Sequence, residues 1–383
     1  MRRGISHSAG PRLVFFTGGT ALRQVSRQLP NYTSNSVHLV TPFDSGGSTA
    51  ALRKAFGMPA MGDIRNRLLA LADAALVPGA VFDFCEQRLP LCGTVAEQRA
   101  ALLSMGKAEH PVWDGMPDAF ADILRRHLCH FLARMPDDFD PHGANLGNLL
   151  LTGGYLENGR DFGPTLKLFG EVFNLRGEVY PVVNESLHLA CELDDGSRVV
   201  GQHLFKALPG RIRRLFLTAH EPGCPCPPAE ESSRRPPLSP DAVAGLGTAD
   251  LICYPMGSFY TSVLANLLPQ GVGKAVAAAD CPKVFIPNSG SDAELRGLSL
   301  PEQVDALLGA LWDDAPEAPV ERLLQHVLVD GRHGRYEGGF GADVRDSLAR
   351  RGVRVLDAPI VQKDDPQRHE PDCTIRALLG FLP

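Results

Sequence analysis

Residues 12–20 read Arg-Leu-Val-Phe-Phe-Thr-Gly-Gly-Thr, an apolar run that ends in two adjacent glycines. A short apolar run closed by a glycine turn is typical of a strand buried in a parallel sheet. Residues 21–29 then predict a helix that stops before Pro30. The glycines let backbone N–H groups approach a ligand, and the helix start adds unpaired donors and a partial positive charge. The stretch therefore predicts a strand, a turn suited to an anionic group, and a helix.

Two further turns of small residues follow predicted strands. Residues 44–48 (Asp-Ser-Gly-Gly-Ser) come after a strand at 37–41, and residues 256–258 (Met-Gly-Ser) come after a strand at 248–254. Ligands in doubly wound sheets sit at the carboxyl ends of the strands, so we expect the three turns to converge. Three such turns predict a pocket for an extended anionic ligand such as a nucleotide diphosphate.

Strand and helix patterns alternate along most of the chain, which predicts an α/β fold with a doubly wound, mostly parallel sheet. The alternation of residues 185–204, broken by Asp194-Asp195-Gly196, predicts a β-hairpin as a small antiparallel addition. Residues 221–240 are rich in Pro, Cys, Ser and Arg and predict a surface loop. We expect one large domain over residues 1–383, with a core at about 12–330, the hairpin at about 185–205 and a C-terminal α/β extension at about 331–383.

Composition narrows the function classes. The 383 residues are 44% hydrophobic and 21% charged, as in a globular protein, and carry a net charge of −6. This balance argues against a nucleic-acid partner, and no apolar run approaches the roughly 18 residues of a membrane helix. The nine cysteines are scattered, which favours reduced thiols in a cytoplasm over a disulfide framework. We therefore expect a small-molecule ligand and neither a membrane nor a nucleic-acid partner.

Each glycine turn also has a purely structural interpretation. Gly18 and Gly19 lack the full G-x-G-x-x-G fingerprint and the Walker lysine, so they are consistent with a tight turn capped by Thr20. A carboxylate at Asp44, beside phosphate-binding amides, suits Mg²⁺ or a ribose hydroxyl, but it also suits an Asx turn that caps its own loop.

Polar residues at three other predicted helix starts are further candidates. Residues 62–66 (Gly-Asp-Ile-Arg-Asn) supply Asp63, predicted as a helix N-cap, with Arg65 and Asn66 suited to an anionic substrate. Ser258 and Thr261 are positioned to bond a phosphate alongside helix amides. Asn145 and Asn148 form another polar patch, although asparagine is also an ordinary cap. Cys224, Cys226 and His220 match no defensible zinc spacing.

Taken together, five segments in register resemble the CofD/YvcK superfamily across roughly residues 12–330, and the match is closer to the YvcK-like branch. The segments are residues 17–20 (Thr-Gly-Gly-Thr), 44–48 leading into Leu52-Arg53-Lys54, 62–66, 146–150 (Leu-Gly-Asn-Leu-Leu) and 257–262 (Gly-Ser-Phe-Tyr-Thr-Ser).

The resemblance implies a Rossmann-like, three-layer αβα fold, usually as a homodimer. CofD moves 2-phospho-L-lactate from a guanosine-diphosphate donor to a deazaflavin acceptor with Mg²⁺, and YvcK-like proteins are associated with UDP-sugar binding and control of carbon use. By motif position, Asp44 is the expected catalytic residue and Mg²⁺ ligand. The expected phosphate-binding residues are Gly18, Gly19, Thr20, Gly46, Gly47, Ser48, Gly257, Ser258 and Thr261, and the expected substrate-binding residues are Asp63, Arg65, Asn66, Asn145 and Asn148.

This chain departs from the family pattern, which indicates a divergent member. Its first turn is Thr17-Gly18-Gly19-Thr20-Ala21 in place of Gly-Gly-Gly-Thr-Gly, and Ser45 follows Asp44 where the family has a second aspartate. Two functions stay open: a CofD-like, Mg²⁺-dependent transferase of a 2-phospholactate type of group, and a non-catalytic nucleotide-sugar-binding regulator of carbon metabolism. A nicotinamide-linked oxidoreductase is disfavoured because the dinucleotide fingerprint is absent.

Overall fold

The computed structural model describes residues 10–382 and contains two sheets. In chain order the strands are β1 (Leu13–Thr17), β2 (Val37–Val40), β3 (Glu178–Pro181), β4 (His188–Leu193), β5 (Arg198–Val200), β6 (Ile212–Thr218), β7 (Ser233–Arg234), β8 (Leu251–Tyr254), β9 (Lys283–Phe285), β10 (His326–Val329) and β11 (Arg354–Asp357). The helices of the described chain are α1 (Arg23–Gln28), α2 (Gly47–Phe56), α3 (Gly62–Leu71), α4 (Gly79–Glu86), α5 (Val95–Met105), α6 (Asp118–Leu132), α7 (Leu146–Glu157), α8 (Phe162–Val172), α9 (Ala229–Ser232), α10 (Pro240–Gly247), α11 (Val272–Ala278), α12 (Leu300–Trp312), α13 (Val320–Leu323), α14 (Ala342–Arg350) and α15 (Pro371–Leu379).

The larger sheet has seven parallel strands within residues 10–382, in the order β11-β10-β9-β8-β1-β2-β3. The chain builds outward from β1 through β2 to β3, then returns to place β8 on the other side of β1. The gap between the carboxyl ends of β1 and β8 is therefore the topological switch point, where ligands bind in folds of this kind. The predicted doubly wound α/β sheet is confirmed.

Strand β1 shows why the sheet has helices on both faces. All five of its residues are buried, and successive side chains point to opposite faces. Leu13 and Phe15 pack with Val25 of α1 and Leu378 of α15, whereas Val14 and Phe16 belong to the core on the other face. A strand buried on both faces reads as a continuous apolar run, which is how it could be recognised in the sequence.

The smaller sheet is antiparallel, with four strands in the order β5-β4-β6-β7 in the described chain. The predicted hairpin is β4 and β5, joined by a turn in which Gly196 has a φ of +80°. The hairpin is part of a larger sheet because β6 pairs along β4, and the predicted loop at 221–240 supplies α9 and β7.

Two other local expectations differ from the structure. Residues 259–263 form a wide π-helical turn followed by a 3₁₀ turn at 264–267, where the sequence predicts a continuous helix. Asp63 lies inside the first turn of α3, after Met61 at the cap, so its prediction as an N-cap is wrong. Strand β11, in the predicted C-terminal extension, pairs with β10 of the main sheet.

Neither a disulfide nor a membrane-spanning helix is found in the part of the chain that the structure describes. All nine cysteines are free thiols. Among residues 10–382, no helix has both the length and the apolar character needed to cross a bilayer.

Candidate functional site

A small cleft lies at the switch point between β1 and β8. It has a volume of about 90 Å³ and is lined by residues 16–22 on one side and by residues 256–258, 262 and 263 on the other. Ligand pockets are roughly 300–1,000 Å³, so this cleft has the size for a phosphate group and leaves the rest of a nucleotide outside. The structure thus brings together Gly18, Gly19, Thr20, Gly257 and Ser258, from the first and third of the predicted turns, while residues 44–48 of the second turn do not line this cleft.

Gly18 is required by the close approach of the two loops. A Cβ atom at Gly18 would lie 2.6 Å from Ser262 Oγ and 3.1 Å from Ser262 Cα. Asn266 holds the loops together, because its Nδ2 donates to Thr17 O at 2.9 Å. By contrast, a Cβ at Gly19 meets no atom within 4 Å and would point into open space.

The sequence analysis missed Arg67, whose guanidinium lies behind the first glycine turn. Arg67 is 1% exposed, and its Nη2 donates to Thr17 Oγ1 at 2.7 Å and to Gly18 O at 3.2 Å. Its Nη1 donates to Ser26 Oγ. A signal was present, since Arg67 follows Asp63 at the i,i+4 spacing of helical ion pairs.

Arg67 remains a buried cation without a close counter-ion. No carboxylate oxygen of residues 10–382 lies within 4.0 Å of the guanidinium. Burial lowers the pKa of Arg67 to about 10, while the more distant Asp63 opposes this effect, so the side chain stays charged at neutral pH. Because an isolated buried charge is costly, this arrangement favours an anion in the adjacent cleft.

The Asp44 turn follows β2 and is tied firmly to the smaller sheet. Asp44 Oδ1 accepts from Gly46 N at 3.0 Å, so the carboxylate does cap its own loop in an Asx turn. Buried Arg53 donates to Asp44 O at 3.0 Å and to Leu187 O at 2.6 Å. Ser45, in place of the family's second aspartate, has its Oγ 2.8 Å from His203 Nδ1.

Asp44 and Asp63 form a pair of neighbouring carboxyl groups. A Cβ at Gly62 would lie 2.8 Å from Thr49 Oγ1 and 3.5 Å from Asp44 Oδ2, so the glycine lets α3 approach the Asp44 turn. Burial, first, and the charge of Asp44, second, together raise the pKa of Asp63 from 3.8 to about 7, against the opposing effect of Arg67 and Arg65. A carboxyl pair with one strongly raised pKa is typical of functional sites.

The carboxyl pair fits Mg²⁺ in the manner of sites completed by substrate. Mg²⁺ takes oxygen ligands and is usually held by one or two carboxylates together with phosphates of the substrate. Asp44 supplies such a carboxylate, and Asp63 lies next to it. In the described chain, no group of three or more His, Cys, Asp or Glu side chains is placed to hold a metal without such help.

Four of the five predicted substrate residues, all except Asp63, form one hydrogen-bonded network with Ser48 at the starts of α2, α3 and α7. Arg65 Nη1 donates to Asn148 Oδ1 at 3.0 Å, and its Nη2 donates to Asn66 Oδ1 at 2.7 Å. Ser48 Oγ accepts from Asn145 N at 2.9 Å. Asn145 caps α7, accepting from Asn148 N at 3.0 Å, so its structural interpretation also holds.

Thr261 does not line the cleft. Its N–H and Tyr260 N–H both donate to Glu294 Oε2 at 3.0 Å, and its hydroxyl donates to Glu294 Oε1 at 2.7 Å. Burial raises the pKa of Glu294. The amides expected to hold a phosphate here are therefore occupied by a carboxylate of the chain itself, and Ser262 lines the cleft in place of Thr261.

The two groups of predicted residues lie along one edge of the sheet. Thr41, after β2, donates its N–H to Thr17 O at 3.1 Å, which joins the Asp44 turn to the first glycine turn. Gly47, with a φ of +49°, opens α2 at this edge. The second group, gathered around the starts of α2, α3 and α7, consists of Asp44, Gly46, Gly47, Ser48, Asp63, Arg65, Asn66, Asn145 and Asn148.

The chain is similar to known proteins along most of its length. Residues 13–361 match the family model described as 2-phospho-L-lactate transferase CofD. The gluconeogenesis factor of Halalkalibacterium halodurans is 26% identical over 378 residues, covering 97% of this chain and 96% of the relative. The gluconeogenesis factor of Bacillus subtilis is 30% identical over 278 residues, covering 73% of this chain and 68% of the relative.

A solved structure shares the fold over nearly the whole chain. The crystal structure of a member of the UPF0052 family from Bacillus halodurans matches with a TM-score of 0.68 at 25% sequence identity, covering 96% of this chain and 99% of that chain. With the family model matching residues 13–361 and relatives named gluconeogenesis factor aligning along most of its length, the chain belongs to the CofD family, beside its YvcK-like members.

Proposed function

We propose that this protein binds a nucleotide-diphosphate sugar at the switch-point cleft and acts as a ligand-dependent regulator of carbon metabolism. The observation that carries the binding proposal is the buried Arg67 guanidinium, which lies behind the Gly18-Gly19 turn without an ion-pair partner in the described chain. The regulatory part is supported by the relatives named gluconeogenesis factor.

In this proposal the phosphates lie against the turns that contain Gly18, Gly19, Thr20, Gly257 and Ser258. The backbone amides of the first turn and the charge of Arg67 favour the anion there, whereas the Gly257 N–H already donates to Asn288 Oδ1 at 2.7 Å. The network around Arg65 and Asn148 contacts the remainder of the ligand, beyond a cleft too small to hold it. A sensor of this kind returns its ligand unchanged.

Calorimetric titration with a UDP-sugar, a GDP-sugar and inorganic pyrophosphate tests the proposal. We expect saturable binding of one nucleotide sugar and recovery of the intact ligand by mass spectrometry. Gly19→Ala places a methyl group in the cleft without a clash inside the protein, so affinity falls while the thermal midpoint is kept. Gly79→Ala, at another glycine with open space around its Cβ, is the matched control and leaves affinity unchanged. Equal affinities for the two variants and the parent would exclude the cleft as the binding site.

A second function, a Mg²⁺-dependent transferase, is favoured by one observation, the raised pKa of Asp63 beside Asp44. Bound Mg²⁺ would supply charge stabilisation at the phosphates, with Asp44 as its protein ligand and Asp63 left uncoordinated. An acceptor hydroxyl would attack the phosphorus atom, its proton would pass to Asp63, and the bond to the departing nucleoside monophosphate would break. A carboxyl group with a pKa near 7 is suited to that proton transfer.

Release of nucleoside monophosphate separates the two functions. A transferase produces it in the presence of Mg²⁺ and an acceptor, and Asp44→Asn then abolishes release while binding persists. A regulator produces none with any acceptor, and its ligand affinity is the same with Mg²⁺ and with a chelator.

A further inference from the structure

The smaller sheet has an open edge along most of β6. Strand β6 pairs with β4 along its length, but β7 covers its other edge only at Leu217 and Thr218. Alternate residues of an antiparallel strand direct their N–H and C=O groups to opposite edges. Residues 212–216 therefore present main-chain donors and acceptors that no strand of the described chain covers.

Two prolines explain why β7 ends after two residues. Pro236 and Pro237 lack an N–H group and cannot continue a ladder beside β6. The chain turns away to Gln270, whose N–H donates to Pro236 O at 2.9 Å and whose carbonyl accepts from Leu238 N at 2.9 Å. The path beside residues 212–216, in line with the end of β7, is thereby left uncovered.

A groove of about 530 Å³ follows this path. Residues 212–217 all line it, and because neighbouring side chains point to opposite faces, the groove runs along the strand edge instead of one face. Its other wall is α12, where Ala306, Gly309 and Ala310 present small side chains at helical spacing. Leu264 and Leu267 contribute to an apolar floor.

Arginine dominates the polar rim of the groove. The rim contains Arg213, Arg214, Arg234 and Arg235, against one carboxylate, Asp313, among the described lining residues. Arg213 pairs with the buried Glu192, and Arg235 lies 4.0 Å from Asp314. Arg214 pairs with the exposed Glu230, and exposed pairs of this kind exchange readily for other anions. Arg234 makes no ion pair in residues 10–382, and its Nη1 donates only to the neighbouring Ser233 O, at 3.1 Å.

We propose that this groove binds an extended, acidic segment of a partner protein as a fifth strand on the open edge of β6. The main chain of the segment pairs with residues 212–216, which supplies affinity without regard to sequence. One set of its alternate side chains is apolar and enters the floor formed by Leu264 and Leu267. The other set is acidic and meets the arginine rim, which supplies charge complementarity.

The rim charges disfavour a second copy of this chain as the occupant. Two copies that paired through β6 about a two-fold axis would place Arg213 and Arg214 against the same residues of the partner. Like charges opposite each other on paired strands are destabilising. An acidic partner segment has no such repulsion.

Fluorescence anisotropy with the full chain tests the proposal. The probe is a fluorescein-labelled peptide of four glutamates alternating with three valines, and the charge control replaces every glutamate with lysine. Two further probes carry N-methyl groups, on the valine amides or on the glutamate amides. A strand on one edge uses only one of these two sets, so one methylated probe loses at least about tenfold in affinity and the other binds like the parent. Equal binding of both methylated probes, or of the lysine peptide, would overturn strand addition.

Two variants test whether the acidic peptide binds in this groove. Arg234→Glu reverses an unpaired rim charge, and Ala306→Trp fills the groove from α12; each weakens the acidic peptide by about tenfold or more. Arg126→Glu, at an exposed arginine on α6 that makes no ion pair within residues 10–382, is the matched control and leaves affinity unchanged, with circular dichroism confirming that all three variants fold. Loss of affinity in Arg126→Glu equal to that in Arg234→Glu would overturn the assignment. Sedimentation that shows a dimer abolished by Arg234→Glu would replace the partner segment with a second copy.

Discussion

Replacing Asp63 with asparagine removes a carboxyl group whose ionisation destabilises the folded chain. Burial and, to a smaller extent, the charge of Asp44 raise the pKa of Asp63 to about 7. In the unfolded chain the same group releases its proton near pH 4. Asparagine has nearly the same size and no charge, so the substitution isolates the effect of ionisation.

The direction of the effect follows from the raised pKa. The folded chain holds the Asp63 proton more tightly than the unfolded chain, so the stability linked to this group is fully present below about pH 4 and is lost as the pH rises to about 7. A rise in pKa from 3.8 to about 7 corresponds to about 4 kcal/mol at full effect. Asp63 is only partly buried, so solvent reduces the effect, and we expect about 2 kcal/mol.

Urea denaturation of the parent and of Asp63→Asn between pH 5 and pH 8 measures this difference. Burial lowers the pKa values of His127, His188 and His369 to about 4, which changes stability with pH in the opposite direction. Those groups act equally on both proteins and cancel in the difference. We expect the variant to be more stable by about 2 kcal/mol at pH 8, with the gain shrinking as the pH is lowered.

The matched control is Asp122→Asn, because Asp122 is exposed on α6. Its free energy of unfolding follows that of the parent at every pH. A stability difference for Asp63→Asn that stayed constant from pH 5 to pH 8 would refute the assignment of a raised pKa to this carboxyl group.

Four substitutions test the packing behind the site by thermal and urea denaturation. Gly18→Ala lowers the free energy of unfolding by about 1–3 kcal/mol because its Cβ would meet Ser262. Gly19→Ala, whose Cβ meets no atom, keeps a free energy of unfolding within about 0.5 kcal/mol of that of the parent. Equal losses in the two variants would contradict the close approach of the loops. Arg67→Met lowers the free energy of unfolding by roughly 3 kcal/mol or more, since Thr17 and Gly18 lose their buried donor. Unchanged stability would show that Arg67 does not support the first glycine turn. Gly147→Ala lowers the free energy of unfolding by roughly 2 kcal/mol or more because its Cβ would meet a backbone carbonyl of α4. If the variant were as stable as the parent, α4 would have to shift away at little cost.

Local sequence patterns were sufficient to predict most strands of the main sheet. The runs at β1, β8 and β10 are buried on both faces and bounded by turns, so their apolar sequences identify them. Strand β3 was not predicted. It lies at the edge of the sheet, where its residues are alternately half-buried and buried, so its sequence is not a continuous apolar run, and it ends in proline. The π-helical turn at 259–263 was not predicted because no local sequence signal distinguishes it from an α-helix.

The parts of the candidate site formed by glycine turns were predictable from the sequence. The contacts between residues distant in the chain were not. Glycines that follow strands predicted the convergence of the first and third turns, since parallel strands place their carboxyl ends together. The capture of the Thr261 amide and hydroxyl by Glu294 joins residues 33 positions apart, which no local pattern reveals. The same is true of the Ser45 contact with His203, 158 positions away.

By itself, the sequence determined the alternation of strands and helices, the glycine turns at the carboxyl ends of β1 and β8, and the resemblance to a family. These features depend on residues close together in the chain, where backbone preference and the period of apolar residues act. Only the tertiary structure established that Arg67 lies behind the first turn without a counter-ion and that Asp63 is held beside Asp44. Burial and through-space charge set those properties, and both depend on which distant segments the fold packs together.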